Sequence, residues 1–290
     1  MNNKTINKKI YIDKEQVLDN EYALSEIEEV VFSAKVKSLG NRAFFLCAKL
    51  NSVIFEGDAI EMGYECFSGC KSLKNIKLPR MTHVPFKCFY GAALEDIEFP
   101  NNLIVIDAYA FSMCKFKKLD FPESLKSIGS YAFSCGGNLK TIDFKNVEHL
   151  GDGTFQCCSI EEFKIGRTIE LIPCRCFDTC NIKYVEILET VPRGALYEHC
   201  RNIIKLDVFS FSQNPDMTIK LPYMVNYNDM AFFVTDHPWF NVHIKEPYKN
   251  MKILLPDEDG IGDEYHDFDG HTIRVTKYKT TNNDKKDETI

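Results

Sequence analysis

Twelve cysteines are the residues of this chain with the most obvious chemical potential. Two pairs, Cys66-x3-Cys70 and Cys176-x3-Cys180, have a spacing that could offer two thiolates to zinc, which takes four nitrogen or sulfur ligands in a tetrahedron. No histidine stands at an offset that completes either set. The acidic stretch from Asp257-Glu258-Asp259-Gly260 to Asp267-Phe268-Asp269-Gly270 suggests calcium, a hard cation that takes oxygen ligands from glycine-bent loops. It does not read as an EF-hand: with Asp267, Asp269 and Gly270 in the third, fifth and sixth places, the first is Tyr265 and the twelfth Thr276. The only tryptophan lies in Asp236-His237-Pro238-Trp239 and is read as an anchor for a terminal cap rather than a contact patch. No phosphate-binding loop, nucleophile elbow or metalloprotease motif occurs. The expectation is a protein that is not an enzyme, with no metal and no cofactor.

The cysteines make better sense as part of a repeat. A small residue followed by phenylalanine recurs as Ala43-Phe44, Cys66-Phe67, Cys88-Phe89, Ala110-Phe111, Ala132-Phe133, Thr154-Phe155 and Cys176-Phe177. The phenylalanine spacings are 23, 22, 22, 22, 22 and 22. A fixed period of this length is the signature of a solenoid, in which no unit can bury its apolar face alone. Cys47, Cys70, Cys114, Cys135, Cys158, Cys180 and Cys200 follow the phenylalanine, one per turn, and Cys66, Cys88 and Cys176 fill the small slot before it. A slot that accepts Cys, Ala and Thr asks for a small side chain, and a buried thiol serves as one. Only Cys157 and Cys174 stand outside both ladders. Reduced core thiols, with no apolar leader in residues 1–20, give a cytoplasmic expectation, with a secreted or cell-surface location as the alternative.

The elements around each phenylalanine follow from periodicity. In the fifth repeat, Leu119 and Phe121 point inward and Asp120 outward, the alternation of a strand with one buried face. Equivalent pairs are Val30/Phe32, Val53/Phe55, Ile76/Leu78, Ile97/Phe99, Ile142/Phe144, Phe163/Ile165 and Val185/Ile187. Pro79, Pro100 and Pro122 lack an N–H and end their strands at once. Gly40, Gly63, Gly129 and Gly151 mark a second bend, after which the phenylalanine segment is expected to form a helical turn on the convex side. Leu50, Leu73, Leu94, Phe116, Leu139, Ile160, Ile182 and Ile203 close the turns.

This unit resembles the BspA-like type of leucine-rich repeat, roughly L-x-x-I-x-L-P-x-x-L-x-x-I-G-x-x-A-F-x-x-C. Leu119 to Leu139 matches it almost position for position, and the resemblance covers about residues 27–200. It implies a repeat solenoid with a parallel β-sheet on a concave face that binds other molecules, and a role like that of cell-surface relatives that engage host or matrix proteins. The domain expectation is an N-terminal cap at 1–26, with Lys9-Ile10-Tyr11-Ile12 as an extra strand. A solenoid of about eight turns follows at 27–206, then a degenerate turn and C-terminal cap at 207–280, and a disordered tail at 281–290.

Function is then sought on the outward strand positions, because a solenoid presents an extended binding surface. The central column carries Val31, Ile54, Lys77, Glu98, Asp120, Asp143, Lys164 and Glu186, and the column before it Asp96, Lys118, Glu162 and Tyr184. Asp96, Glu98, Asp120 and Asp143 fall within a few strand spacings of one another. They suggest a site for a protein partner with a basic segment, anchored on Val31 and Ile54. The competing reading is a solvated face neutralised by Lys77, Lys118 and Lys164. The net charge of −7 argues against nucleic acid. No apolar run is long enough for a membrane span, and a monomer is expected. A small-ligand or catalytic site in the non-repeat C-terminal segment is kept as a further alternative.

Overall fold

The computed structural model describes residues 8–187, apart from 166–167, 170 and 174, and the strands at 205–206, 218–220, 252–256, 264–266 and 272–278. Each repeat is one coil of a parallel-strand solenoid. The alternating segment forms a first ladder. Lys9–Ile12 pairs with Glu29–Phe32 and that with Ser52–Phe55, while Asn75–Lys77 pairs with Asp96–Glu98. Thr141–Asp143 then leads through Glu162–Ile165, Tyr184–Ile187, Thr218–Lys220 and Lys252–Pro256 to Thr272–Tyr278, all parallel. Glu264–His266 lies antiparallel at that end.

The strand expected at Leu119–Phe121 does not form. Both side chains are buried, but their backbone pairs with neither neighbour, so the first ladder is broken between Asp96–Glu98 and Thr141–Asp143.

A second ladder, which sequence periodicity does not reveal, is built from two-residue strands. Gln16–Val17, Ser38–Leu39 and Glu61–Met62 pair in sequence, as do His83–Val84, Val105–Ile106, Ser127–Ile128 and His149–Leu150. Glycines follow it where the coils press together. A Cβ on Gly151 would lie 2.3 Å from the backbone nitrogen of Ser130 and 2.7 Å from the carbonyl carbon of Gly129. Gly151→Ala is therefore expected to cost about 1–3 kcal/mol through overpacking against rigid backbone, measured as a lower urea midpoint.

The expected helical turn is replaced by a different conformation, and no helix occurs among the described residues. Two residues before the ladder phenylalanine, φ is positive at Arg42, Glu65, Lys87, Tyr109, Tyr131 and Arg175; two residues after it, at Leu46, Met113, Cys135, Cys157 and Thr179. A left-handed residue with a Cβ costs about 1–2 kcal/mol and interrupts a right-handed helix. Hydrogen bonds to the next coil offset that cost. Arg42 N donates to Tyr64 O at 2.9 Å, Phe44 N to Cys66 O at 2.9 Å and Leu46 N to Ser68 O at 2.8 Å, and later coils repeat the pattern.

The core is a stack of rings. Phe44, Phe67, Phe89, Phe111, Phe133, Phe155 and Phe177 lie face to face at centroid separations between 5.2 and 5.7 Å. Tyr22 extends the stack at 5.1 Å from Phe44, so residues 9–25, assigned from sequence to a cap, follow the coil geometry. The small-slot residues before each phenylalanine are fully buried, and Leu50, Leu73, Leu94, Phe116, Leu139, Ile160 and Ile182 close the interior. The cysteine three places after the phenylalanine donates its thiol to a carbonyl one coil back: Cys70 to Phe44 O at 3.3 Å, Cys114 to Phe89 O at 3.3 Å and Cys180 to Phe155 O at 3.1 Å.

Cys135 corrects the sequence reading. It stands two places after Phe133 rather than three, so it is exposed, and Gly136 occupies the buried slot. The acidic loop apart from Glu264–His266, the Asp236–Trp239 segment, Cys174, Cys200 and the 281–290 tail lie outside the described residues.

Candidate recognition face

The outward side of the first ladder places most of the sequence-selected residues on one surface. Register puts Tyr11 beside Val31 and Val31 beside Ile54, so three apolar side chains run across adjacent strands. Tyr11 is 59% and Ile54 49% exposed, with Val31 half-buried between them. Such a run on parallel strands carries no packing partner within its own coil, because the inward positions already fill the core. Tyr11 was not in the sequence-derived column, although extending that column one strand toward the N-terminus finds it. Its hydroxyl donates to Glu56 at 2.8 Å, which orients the ring across the strand ends.

Beyond Ile54 the column turns charged. Lys77 and Glu98 are register partners joined by an ion pair of 2.8 Å. Asp120 pairs with Lys145 at 2.7 Å, and that ammonium holds its carboxyl below the usual range. Asp143 accepts a hydrogen bond from the backbone N–H of Lys145 at 3.0 Å. Asp96 is exposed, its carboxylate accepting from the neighbouring N–H of Ile97 at 3.0 Å. Lys118, Glu162 and Lys164 are exposed and Tyr184 is half-buried. Asp143, Lys164 and Glu186 are consecutive in register. Glu98 and Asp120 are thus each countered by a lysine.

A second charge array was missed. At the first-ladder strand starts Lys8 meets Glu28 at 2.6 Å, Lys74 meets Glu95 at 3.2 Å with Lys117 at 3.4 Å on its other side, and Glu161 sits between Lys140 and Lys183. The signal was a Lys/Glu alternation at the repeat period, just outside the columns chosen. The two lysines hold Glu161 down to about 2. A carboxyl depressed in the folded state stabilises above its unfolded value and loses that contribution as pH falls through its folded one. Glu161→Gln should therefore unfold earlier than wild type at pH 6 in low salt, with the difference fading as pH approaches 2. An unchanged difference across that range would count against the pairing.

Among the described residues no group of three or more His, Cys, Asp or Glu is placed to hold a metal ion, and no helix is long and apolar enough to cross a membrane. Cys66 and Cys70, the spaced pair, are both buried and their thiols are pushed well above the ordinary range by burial.

The profile described as BspA type leucine rich repeat region matches in six copies, over residues 15–84 and 82–204. A leucine-rich repeat protein from Bacteroides ovatus superposes with a TM-score of 0.56 at 21% identity, over 84% of this chain and 64% of that one, a likeness of fold. A leucine-rich cell surface protein from Faecalibacterium prausnitzii gives a TM-score of 0.38 at 15% identity, over 74% of this chain and 82% of that one. The pneumococcal vaccine antigen PcpA gives 0.37 at 17% identity, over 72% and 66%. No curated protein matches the sequence.

Proposed function

The chain belongs to the BspA-type leucine-rich-repeat family, and on that footing we propose a non-enzymatic recognition module that grips a protein partner on the outward face of its first ladder. The observation that carries this reading is the exposed apolar run Tyr11–Val31–Ile54, in register on three strands and followed by an acid-rich stretch. A partner with an apolar knob and a basic segment would complement both halves. Aromatic and apolar anchors at the centre of an interface carry most of its binding energy, and the surrounding charges set orientation and rate.

Secreted or cell-surface placement is favoured, because leucine-rich-repeat proteins of this type are commonly surface recognition modules. The cytoplasmic expectation rested on reduced core thiols together with no apolar leader in residues 1–20; eight of the ten described cysteines are buried, and burial alone keeps a thiol reduced whatever the compartment. Burial pushes the Cys158 thiol up to about 12. A thiol that neither ionises nor meets oxidant persists in either compartment.

The test compares wild type with Ile54→Lys and with the pair Asp96→Lys and Asp143→Lys, as baits against surface and secreted protein fractions and against cytosol. A partner held by wild type should bind Ile54→Lys at least about tenfold more weakly, the equivalent of about 1.4 kcal/mol. The charge pair should slow association and flatten its salt dependence. Equal binding by all three baits would remove the face from the account.

A further inference from the structure

Among the described cysteines, Cys135 and Cys157 are the two that packing does not use. Both stand two residues after a ladder phenylalanine, at φ of 55° and 57°, in a column occupied elsewhere by Leu46, Gly69, Gly91, Met113 and Thr179. That column faces outward, with Met113 50% exposed. The two coils are tied together here: Phe133 N donates to Thr154 O at 2.9 Å and Cys135 N to Gln156 O at 2.7 Å. Cys135 and Cys157 are thus direct neighbours along the stack. Chains hydrogen-bonded side by side run about 4.8 Å apart, inside the roughly 4.4–6.8 Å window of Cα separations that a disulfide spans.

Cys157 also acts on the Cys135 thiol. Partial burial first, then the charge and hydrogen bonding of Cys157, hold the Cys135 thiol above its ordinary range. The adjacent Cys158 is turned inward and donates to Phe133 O at 3.1 Å, which removes it as the natural partner of Cys157.

We propose that Cys135 and Cys157 form an oxidisable dithiol on the outer turns, which a low-molecular-weight disulfide converts to a covalent tie between adjacent coils. One thiol loses its proton to solvent and its sulfur attacks one sulfur of the oxidant. The oxidant's S–S bond breaks, a mixed disulfide forms, and the released thiolate takes up a proton. The second protein thiol then loses its proton and attacks the protein sulfur of the mixed disulfide, expelling the second small thiolate, which is protonated in turn. The protein gives up two electrons and two protons, and the oxidant becomes two thiols. The tie joins coils otherwise held by packing and hydrogen bonds. Repeat proteins open by losing contacts between neighbouring units, so the oxidised form resists separation of these two coils.

The experiment treats the folded, full-length chain with glutathione disulfide, quenches in acid and maps the peptides by mass. Wild type is expected to lose two hydrogens at a Cys135–Cys157 bridge, keep no glutathione, and recover its thiols with dithiothreitol. Cys135→Ser and Cys157→Ser should each trap one glutathione on the remaining cysteine. In reducing buffer their unfolding midpoints should equal that of wild type, since both side chains are exposed. Glutathione persisting on the wild-type pair, a bridge mapped to Cys157–Cys158 or elsewhere, or no reaction in the folded protein would each overturn the proposal.

Discussion

Phe133→Ala is expected to lower the free energy of unfolding by about 3–5 kcal/mol, the usual cost of emptying a large buried aromatic site. Phe133 is 1% exposed and meets four rings, stacked on Phe111 at 5.4 Å and Phe155 at 5.5 Å and tilted or edge-on against Phe121 at 5.7 Å and Phe116 at 6.1 Å. Those rings are fixed by coils on both sides, so little can collapse into the void. The substitution also sits mid-stack, and coupling in a solenoid runs only between neighbours. Urea unfolding followed by circular dichroism should show the loss, and a previously single transition should separate into two. A decrease below about 1 kcal/mol would mean that the ring stack does not bind the coils together.

Cys88→Asp should be comparably severe, and its severity should depend on pH. Cys88 is fully buried, with its sulfur 4.0 Å from Met62 Sδ and its thiol raised well above the ordinary range by burial. A carboxylate there has no cation to meet. Keeping it protonated at pH 7, against an ordinary value near 3.9, costs about 4 kcal/mol at about 1.36 kcal/mol per unit. The folded value is raised, so the penalty is absent below about pH 4 and grows as pH rises. The urea midpoint of Cys88→Asp should thus approach that of Cys88→Asn near pH 4 and fall well below it by pH 7. Parallel behaviour of the two variants would show that water reaches the slot.

Much of this architecture was legible because identical side chains return at a fixed period. The phenylalanine stack, the small slot and the closing leucines are each a single packing requirement repeated once per coil. What escaped notice had a weaker code. The second ladder uses strands such as Val105–Ile106, too short for alternation to register. The outer turns place Arg42, Tyr109 and Met113 in left-handed conformations that glycine would have announced. Their energy comes from hydrogen bonds between coils, which no local sequence pattern encodes. Cys135 was misplaced by one residue, enough to move a side chain from core to surface. On the proposed recognition face, Lys77 and Lys145 reach across coils to Glu98 and Asp120, and such pairings depend on side-chain reach. Tyr11 was hidden because the repeat begins earlier than its phenylalanine signature.

The most direct test of the recognition face is amide hydrogen exchange on the full-length chain, alone and with the protein partner that the Ile54→Lys comparison identifies. The account predicts slowed exchange centred on 9–12, 29–32 and 52–55 and extending into 75–77 and 96–98, with the outer turns unchanged. Protection confined to the outer turns, such as 42–46, 109–113 and 131–135, would contradict it.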